Sequence, residues 1–341
     1  MVDTETILQR YKVDLEEELK FAIGKASSPL YNMMRYHMGW VDELGQSRTG
    51  AGKRLRPFFC LHACRSVGGD WRQALPVAAA LELVHNFSLI HDDIQDASAE
   101  RRGRPTVWRI WGLPQAINVG DGMHALALSS LLRLEEAGVE HRKIVHAARL
   151  LGEASLMLCE GQYLDINFEN RLDVNVDEYL EMINGKTAGL FRCSLEIGAL
   201  IGNDDSTLLA NMRSFGDAVG MVFQVHDDVL SIWGNEKTTG KPTTTDIEMK
   251  KKTLPVVYAL ANANGKDGES LREIYTKKTL GPADVEEVLR VLDVVDARSY
   301  AQSMADKYHR QALSDLEATD IPQQAKDELK ATAAFLLERE H

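Results

Sequence analysis

The chain has 341 residues, room for one large domain or two and for a sizeable buried core. Its formal net charge of -12 excludes a general nucleic-acid binder, whose phosphate contacts need a basic surface. Only 9 prolines and little strand-like alternation point to helices throughout.

Helical periodicity begins over residues 6–21. The opening MVDTETILQRYK lacks the basic-then-apolar order of a signal peptide, so a soluble, cytoplasmic protein is expected. A second helix is predicted over 31–44, followed by the polar loop GQSRTGAGKRLRP, whose Pro57 suits the first turn of a helix. Lys53, Arg54 and Arg56 make a compact cationic group at that helix start, where unpaired backbone N–H groups also favour anions.

Helices are predicted next over 56–67 and 71–96. Cys60 and Cys64 could suggest zinc with His62, but i and i+2 point apart on a helix, so core cysteines are the better reading. With Cys159 and Cys193 they have no framework spacing, which fits a reduced, intracellular chain. The second helix ends in LIHDDIQD (89–96), where Asp92 and Asp96 share a face at i and i+4. Clustered carboxylates repel one another, so the pattern makes sense around a divalent cation; magnesium, which takes oxygen ligands and is held jointly with substrate phosphates, fits best. His85 lies two helical turns before Asp92 on nearly the same face, Ser88 directly beneath it and Phe87 toward the flank. Arg101 and Arg102 follow closely enough to fold back over the same mouth. His91 is turned off the metal-facing edge and reads as structural.

Further helices are predicted over 113–136, 141–168, 176–184 and 187–201, with Lys186 and Thr187 following Gly185 at a helix start. The helix over 205–233 carries a second copy, QVHDDVLS (224–231), which aims Asp227 and Ser231 the same way and leaves His226 structural. The loop 234–246, GNEKTTGKPTTTD, suits a mobile lid as well as a linker. Helices over 247–263, 270–275, 282–292, 297–318 and 322–339 complete an all-α chain. It is read as a single domain, 1–341: one large helical bundle with a central cavity and the acidic motifs on facing helices. No uninterrupted apolar run approaches the roughly twenty residues of a membrane helix, so no integral membrane segment is expected.

In consistent order, GKRLRP, LVHNFSLIHDDIQD, RRGRPTVW, GQYLDI, GKTAGLF, FQVHDD, TGKP and DIEMKKKTLP resemble the trans-prenyltransferase family, the head-to-tail polyprenyl diphosphate synthases. The resemblance implies an isoprenoid synthase-like fold, a homodimer, and magnesium-dependent condensation of isopentenyl diphosphate with an allylic diphosphate. It implies that Asp92, Asp96 and Asp227 bind magnesium, with Asp93 and Asp228 supporting. Arg101, Lys186, Lys241 and Lys251 would hold the allylic diphosphate; Lys53, Arg56, His85 and Arg102 would hold isopentenyl diphosphate; Thr187 and Gln224 would line the reacting carbons. An aromatic five residues before the first aspartate forms the floor of the elongation cavity in this family, which makes Phe87, with Ser88 beside it, the chain-length candidate. One aromatic there resembles short-chain synthases making farnesyl or geranylgeranyl diphosphate, and geranylgeranyl is the reading preferred.

Four departures stand out. Ser231 replaces a third aspartate, so weakened metal binding is expected at the second motif. Lys250 replaces a glycine, Trp108 replaces a residue often His, and FLLEREH is not basic. A terpene cyclase would have no reason to keep GKRLRP, His85 and Arg102 for a second diphosphate, and a catalytically silent partner subunit would have no reason to keep Asp92, Asp96 and Asp227.

Overall fold

A computed structural model describes residues 4–48, 52–234 and 244–337, and in them the all-α expectation is borne out: a run of helices with one two-stranded ladder. These residues group into two compact units. The first comprises the chain up to Ser155 with Cys193–Arg213 and Asp320–Leu329; the second comprises Leu156–Arg192, Ser214–Thr319 and the segment from Lys330 on.

In the first unit, α5 (Leu75–Gln95) is the central element. Its residues from Pro76 to Val84 are buried on every side, the pattern of a helix enclosed by others, and the small Ala78, Ala79 and Ala80 let neighbours approach. Length and composition would also suit a membrane span, but 72% of its most apolar window is buried inside the protein. Around it pack α2 (Lys12–Ile23), α4 (Leu55–Ser66) and α7 (Leu113–Leu132). Gly120 of α7 is required there, because a Cβ would stand 2.2 Å from His91 Nε2.

Helix α3 (Pro29–His37) is shorter than predicted. Apolar spacing continues through Trp40, but Gly39 takes φ 85° and turns the chain back into an antiparallel bridge between Val41 and Ser47. Cys60, Cys64 and Cys193 are buried and none of the four cysteines is in a disulfide. Burial pushes the Cys64 thiol up to about 12, as befits packing rather than reactivity. His62 is likewise held neutral by burial, down to about 3, against the Tyr11 hydroxyl at 3.1 Å.

The second unit has two apolar clusters that share Trp233, one including Phe168, Tyr179, Ile183 and Leu254, the other Val256, Leu271, Val288 and Leu292. Its α9 (Val176–Ile183) starts with a capping box between Asn175 and Glu178. The predicted gap between 184 and 187 is closed by a widened π turn, Asn184–Ala188, leading into α10 (Gly189–Gly202). The predicted helix 247–263 is broken into Thr245–Glu248 and Leu254–Asn262, since Pro255 fits only a first turn and Lys250 has φ 55°. The helix predicted over 270–275 is longer, Gly265–Thr276.

Candidate active site

The first acidic motif closes α5. Asp96 caps the helix with its N–H on the Asp92 carbonyl at 2.9 Å, which keeps the two residues one turn apart on one face. Asp93 turns inward instead and is 2% exposed. Burial pushes its carboxyl up to about 6, although Arg101 opposes the shift with Nε at 2.8 Å. The same guanidinium donates to Asp92 Oδ2 at 3.1 Å.

Arg101 reaches back because β1 (Glu100–Arg101) and β2 (Arg104–Pro105) form a hairpin around Arg102 and Gly103, at φ 55° and 68°. Two left-handed residues match the twist of such a tight turn. Trp108 donates its Nε1–H to the Ser98 carbonyl at 2.8 Å, so this departure from the family pattern anchors the foot of the hairpin.

Beside the hairpin lies a cavity of about 330 Å³, lined by His37, Gly52, Arg101 and Arg102 among others. Gly52 brings the GKRLRP segment close: a Cβ there would lie 3.0 Å from Arg102 Nη1. Behind it, Arg56 Nη1 donates to His85 Nε2 at 3.3 Å, and burial together with Arg56 and Arg102 keeps His85 neutral, hence an acceptor. Lys53 is exposed. Arg54, which the sequence does not separate from its neighbours, is structural: it is buried in ion pairs with Glu16 and Glu82, both at 2.8 Å.

Phe87 is 8% exposed, edge-on to His124 with ring centroids 4.8 Å apart, and Ser88 Oγ donates to the His85 carbonyl at 2.8 Å. His91 faces α7, 3.4 Å from the Ile117 carbonyl.

In the second unit, α11 (Ser206–Trp233) presents Gln224, Asp227, Asp228 and Ser231. Asp227 is exposed, whereas Asp228 is buried and accepts from the Tyr179 hydroxyl, from the Leu254 N–H at 2.8 Å and from Gln224 Nε2 at 3.0 Å. Burial pushes the Asp228 carboxyl up to about 7. Gln224 is thereby oriented, and its Oε1 accepts from Thr187 Oγ1 at 2.7 Å. Ser231 Oγ donates back to the Asp228 carbonyl at 3.0 Å.

The π turn carries Lys186 and Thr187 against helix α8 (His141–Phe168) through facing glycines. A Cβ on Gly161 would stand 2.2 Å from the Lys186 nitrogen, and one on Gly185 2.7 Å from the Met157 carbonyl. Lys186 pairs with Asp165 at 2.5 Å; Lys251 lies 3.4 Å from Glu169 and 3.9 Å from Asp165. Asp165, present in the GQYLDI motif but given no role there, therefore organises both lysines. Lys241 and most of the proposed lid lie outside the described residues.

Among the described residues no three His, Cys, Asp or Glu side chains close into a metal cage. The donor chemistry nevertheless fits magnesium, which is held by one or two accessible carboxylates and completes its shell with waters and substrate phosphates. Asp92 and Asp96 in the first unit and Asp227 in the second are carboxylates with solvent-reachable oxygens, whereas Asp93 and Asp228 are buried.

The Polyprenyl synthetase family profile matches residues 39–292. The chain belongs to the polyprenyl synthetase family. This chain is 39% identical to the geranylgeranyl diphosphate synthase of Mycobacterium tuberculosis, over 91% of this chain and 88% of that protein. It is 36% identical to the short chain isoprenyl diphosphate synthase of Methanothermobacter thermautotrophicus, over 100% of both. The crystal structure of a polyprenyl synthetase from Streptomyces coelicolor matches with a TM-score of 0.91 and 35% identity, covering 98% of this chain and 100% of that one. The polyprenyl synthetase fold expected from the motifs is thus the fold observed.

Proposed function

We propose that the protein is a prenyltransferase that condenses isopentenyl diphosphate with an allylic diphosphate to give a short-chain isoprenyl diphosphate, geranylgeranyl diphosphate by preference. The observation that carries this reading is the arginine-lined cavity of the first unit, with Arg102 near the part-buried Arg56–His85 pair: a second diphosphate needs such a site and a cyclase does not.

In this reading the allylic C–O bond breaks with its electron pair leaving on the diphosphate. The double bond of isopentenyl diphosphate then attacks the allylic cation to form the new C–C bond, and a proton departs to the released diphosphate. Asp92, Asp96 and Asp227 would hold magnesium, which when bound would neutralise charge on the leaving group. Lys186, Lys251, Arg101 and Lys241 offset the same developing charge and fix its position. Thr187 and Gln224 would face the cation with oxygen lone pairs, and the hydrogen bond from Thr187 Oγ1 to Gln224 Oε1 fixes their positions. Residues 1–341 are read as a single prenyl diphosphate synthase domain.

A homodimer is supported by apolar side chains held in solvent on α7, where Leu128 is 54% and Leu132 52% exposed. The cysteines, none of them in a disulfide, suit the cytoplasm. The names of the relatives span geranylgeranyl and farnesyl products. Phe87 is proposed as the floor: Phe87→Ala should lengthen the product by at least one five-carbon unit, at a folding cost of about 3–5 kcal/mol. An active variant with the parental product distribution would move the floor to Ser88 or another helix. The direct test incubates the purified protein with isopentenyl diphosphate, each allylic primer and magnesium and measures product length. Absence of any condensation product with every primer rejects the reading.

A further inference from the structure

Two of the four arginines on the wall of the first unit's cavity are committed within the protein. Arg101 is held by Asp92 and Asp93, while Arg104 donates to the carbonyls of Tyr36 at 3.1 Å and Val41 at 2.8 Å. Two others lining the cavity, Arg102 and Arg48, make no ion pair and no side-chain hydrogen bond among the described residues.

Arg48 is an exposed residue, and an exposed arginine is ordinarily only a solvated charge. Its backbone, however, is tightly specified. The preceding turn is closed by the Val41–Ser47 bridge, by Asp42 Oδ1 accepting from the N–H groups of Leu44 at 2.9 Å and Gln46 at 2.8 Å, and by the Arg48 N–H on the Trp40 carbonyl at 2.8 Å. The turn is tied on one side to Glu16, which accepts from Trp40 Nε1 at 2.8 Å. On the other side Arg104 ties it to the hairpin that carries Arg102, stacking its guanidinium 3.9 Å above the Tyr36 ring. Two guanidinium groups without an acceptor among the described residues are thus brought to one cavity by a shared scaffold. Planar, permanently charged forks of this kind match phosphate oxygens two at a time.

We propose that Arg48 is a further ligand of the isopentenyl diphosphate, closing with Arg102 on its phosphate oxygens from the opposite element. The inference rests on the reading that this cavity takes that substrate. Lys53, Arg56, His85 and Arg102 follow from the motif pattern; Arg48 does not, because it lies outside every motif and is brought to the cavity only by the fold.

The test is steady-state kinetics on Arg48→Ala, with Arg48→Gln as the substitute if alanine does not fold. Loss of a charge-assisted contact should raise KM for isopentenyl diphosphate about tenfold or more, leave KM for the allylic primer nearly unchanged and lower kcat little. Arg48→Lys should recover part of the loss, and thermal unfolding should match the parent. An unchanged KM for isopentenyl diphosphate, or an equal rise for both substrates, overturns the proposal. Calorimetric titration of inorganic diphosphate in the presence of a chelator separates it from the functional reading. If the parent protein binds diphosphate but condenses nothing, the functional reading fails, and weaker binding by Arg48→Ala still supports the clamp. Equal binding by parent and variant, or none by the parent, sinks it.

Discussion

The two acidic motifs place one aspartate in solvent reach and bury the next, yet they hold the buried one by different chemistry. Asp93 is gripped by a guanidinium that also touches Asp92, so the first motif is joined by charge to the hairpin bearing Arg102. Asp228 is held by neutral donors alone, a hydroxyl, a backbone N–H and an amide, and no cation approaches within ion-pair distance among the described residues. The contrast follows from what each motif supports. A cation beside Asp92 and Asp93 reinforces a site proposed for diphosphate. A cation beside Asp228 would add positive charge to Gln224 and Thr187, the side chains proposed to face an allylic cation. Neutral donors orient them without that penalty.

The largest effect separates the accessible aspartates from the buried ones. Asp92→Ala should lower kcat by about 10²–10³-fold or more while the fold survives, and chelation of magnesium should abolish turnover in the parent. Steady-state rates with circular dichroism check both. Substantial turnover in excess chelator would remove the metal role assigned to Asp92, Asp96 and Asp227.

A pair of substitutions sharpens the contrast itself. Tyr179→Phe leaves the buried Asp228 short of a donor and should cost about 1–3 kcal/mol of stability. Arg101→Gln leaves the buried Asp93 without its charged partner, which should cost about 3–5 kcal/mol, more than Tyr179→Phe, and should lose turnover as well. Denaturant unfolding beside kinetics reads both quantities. Equal losses of stability would show that the two motifs are held alike and that the distinction between charged and neutral support is wrong.

Much of this was legible in the sequence. Helices α5 and α11 announce themselves by apolar periodicity, and the spacing of Asp92 and Asp96 gives their common face. The split within each Asp pair was also within reach, since neighbours on a helix point about 100° apart and only one can face a shared mouth. Other features depend on partners distant along the chain. Arg54 differs from Arg56 only because Glu16 and Glu82 meet it, and no local pattern marks Tyr179 as the donor to Asp228. Arg48 was hidden for another reason. The apolar spacing of Met38, Trp40 and Val41 imitates a longer helix, and Gly39, at φ 85°, is the residue that ends it. Lys250 shows the converse, because the glycine it replaces marked a left-handed position that the chain retains at φ 55°.

The smallest effect concerns Ser231, where the second motif lacks the carboxylate that Asp96 gives the first. Among the described residues its hydroxyl bonds to the Asp228 carbonyl one turn back on its own helix, an interaction an outward-turned aspartate can forgo. The backbone contact it makes, the Thr244 N–H on the Ser231 carbonyl at 3.0 Å, is indifferent to the side chain. Ser231→Asp should therefore fold and turn over, and the added carboxylate beside Asp227 should lower the magnesium concentration for half-maximal rate by a few-fold. The comparison with Asp96→Ala is then symmetric: one variant gives the second motif the first motif's ligand set, and the other takes the i+4 ligand from the first. If Ser231→Asp instead needs more magnesium than the parent, the extra charge repels Asp227 rather than sharing a cation with it, and the second motif is not a weakened copy of the first.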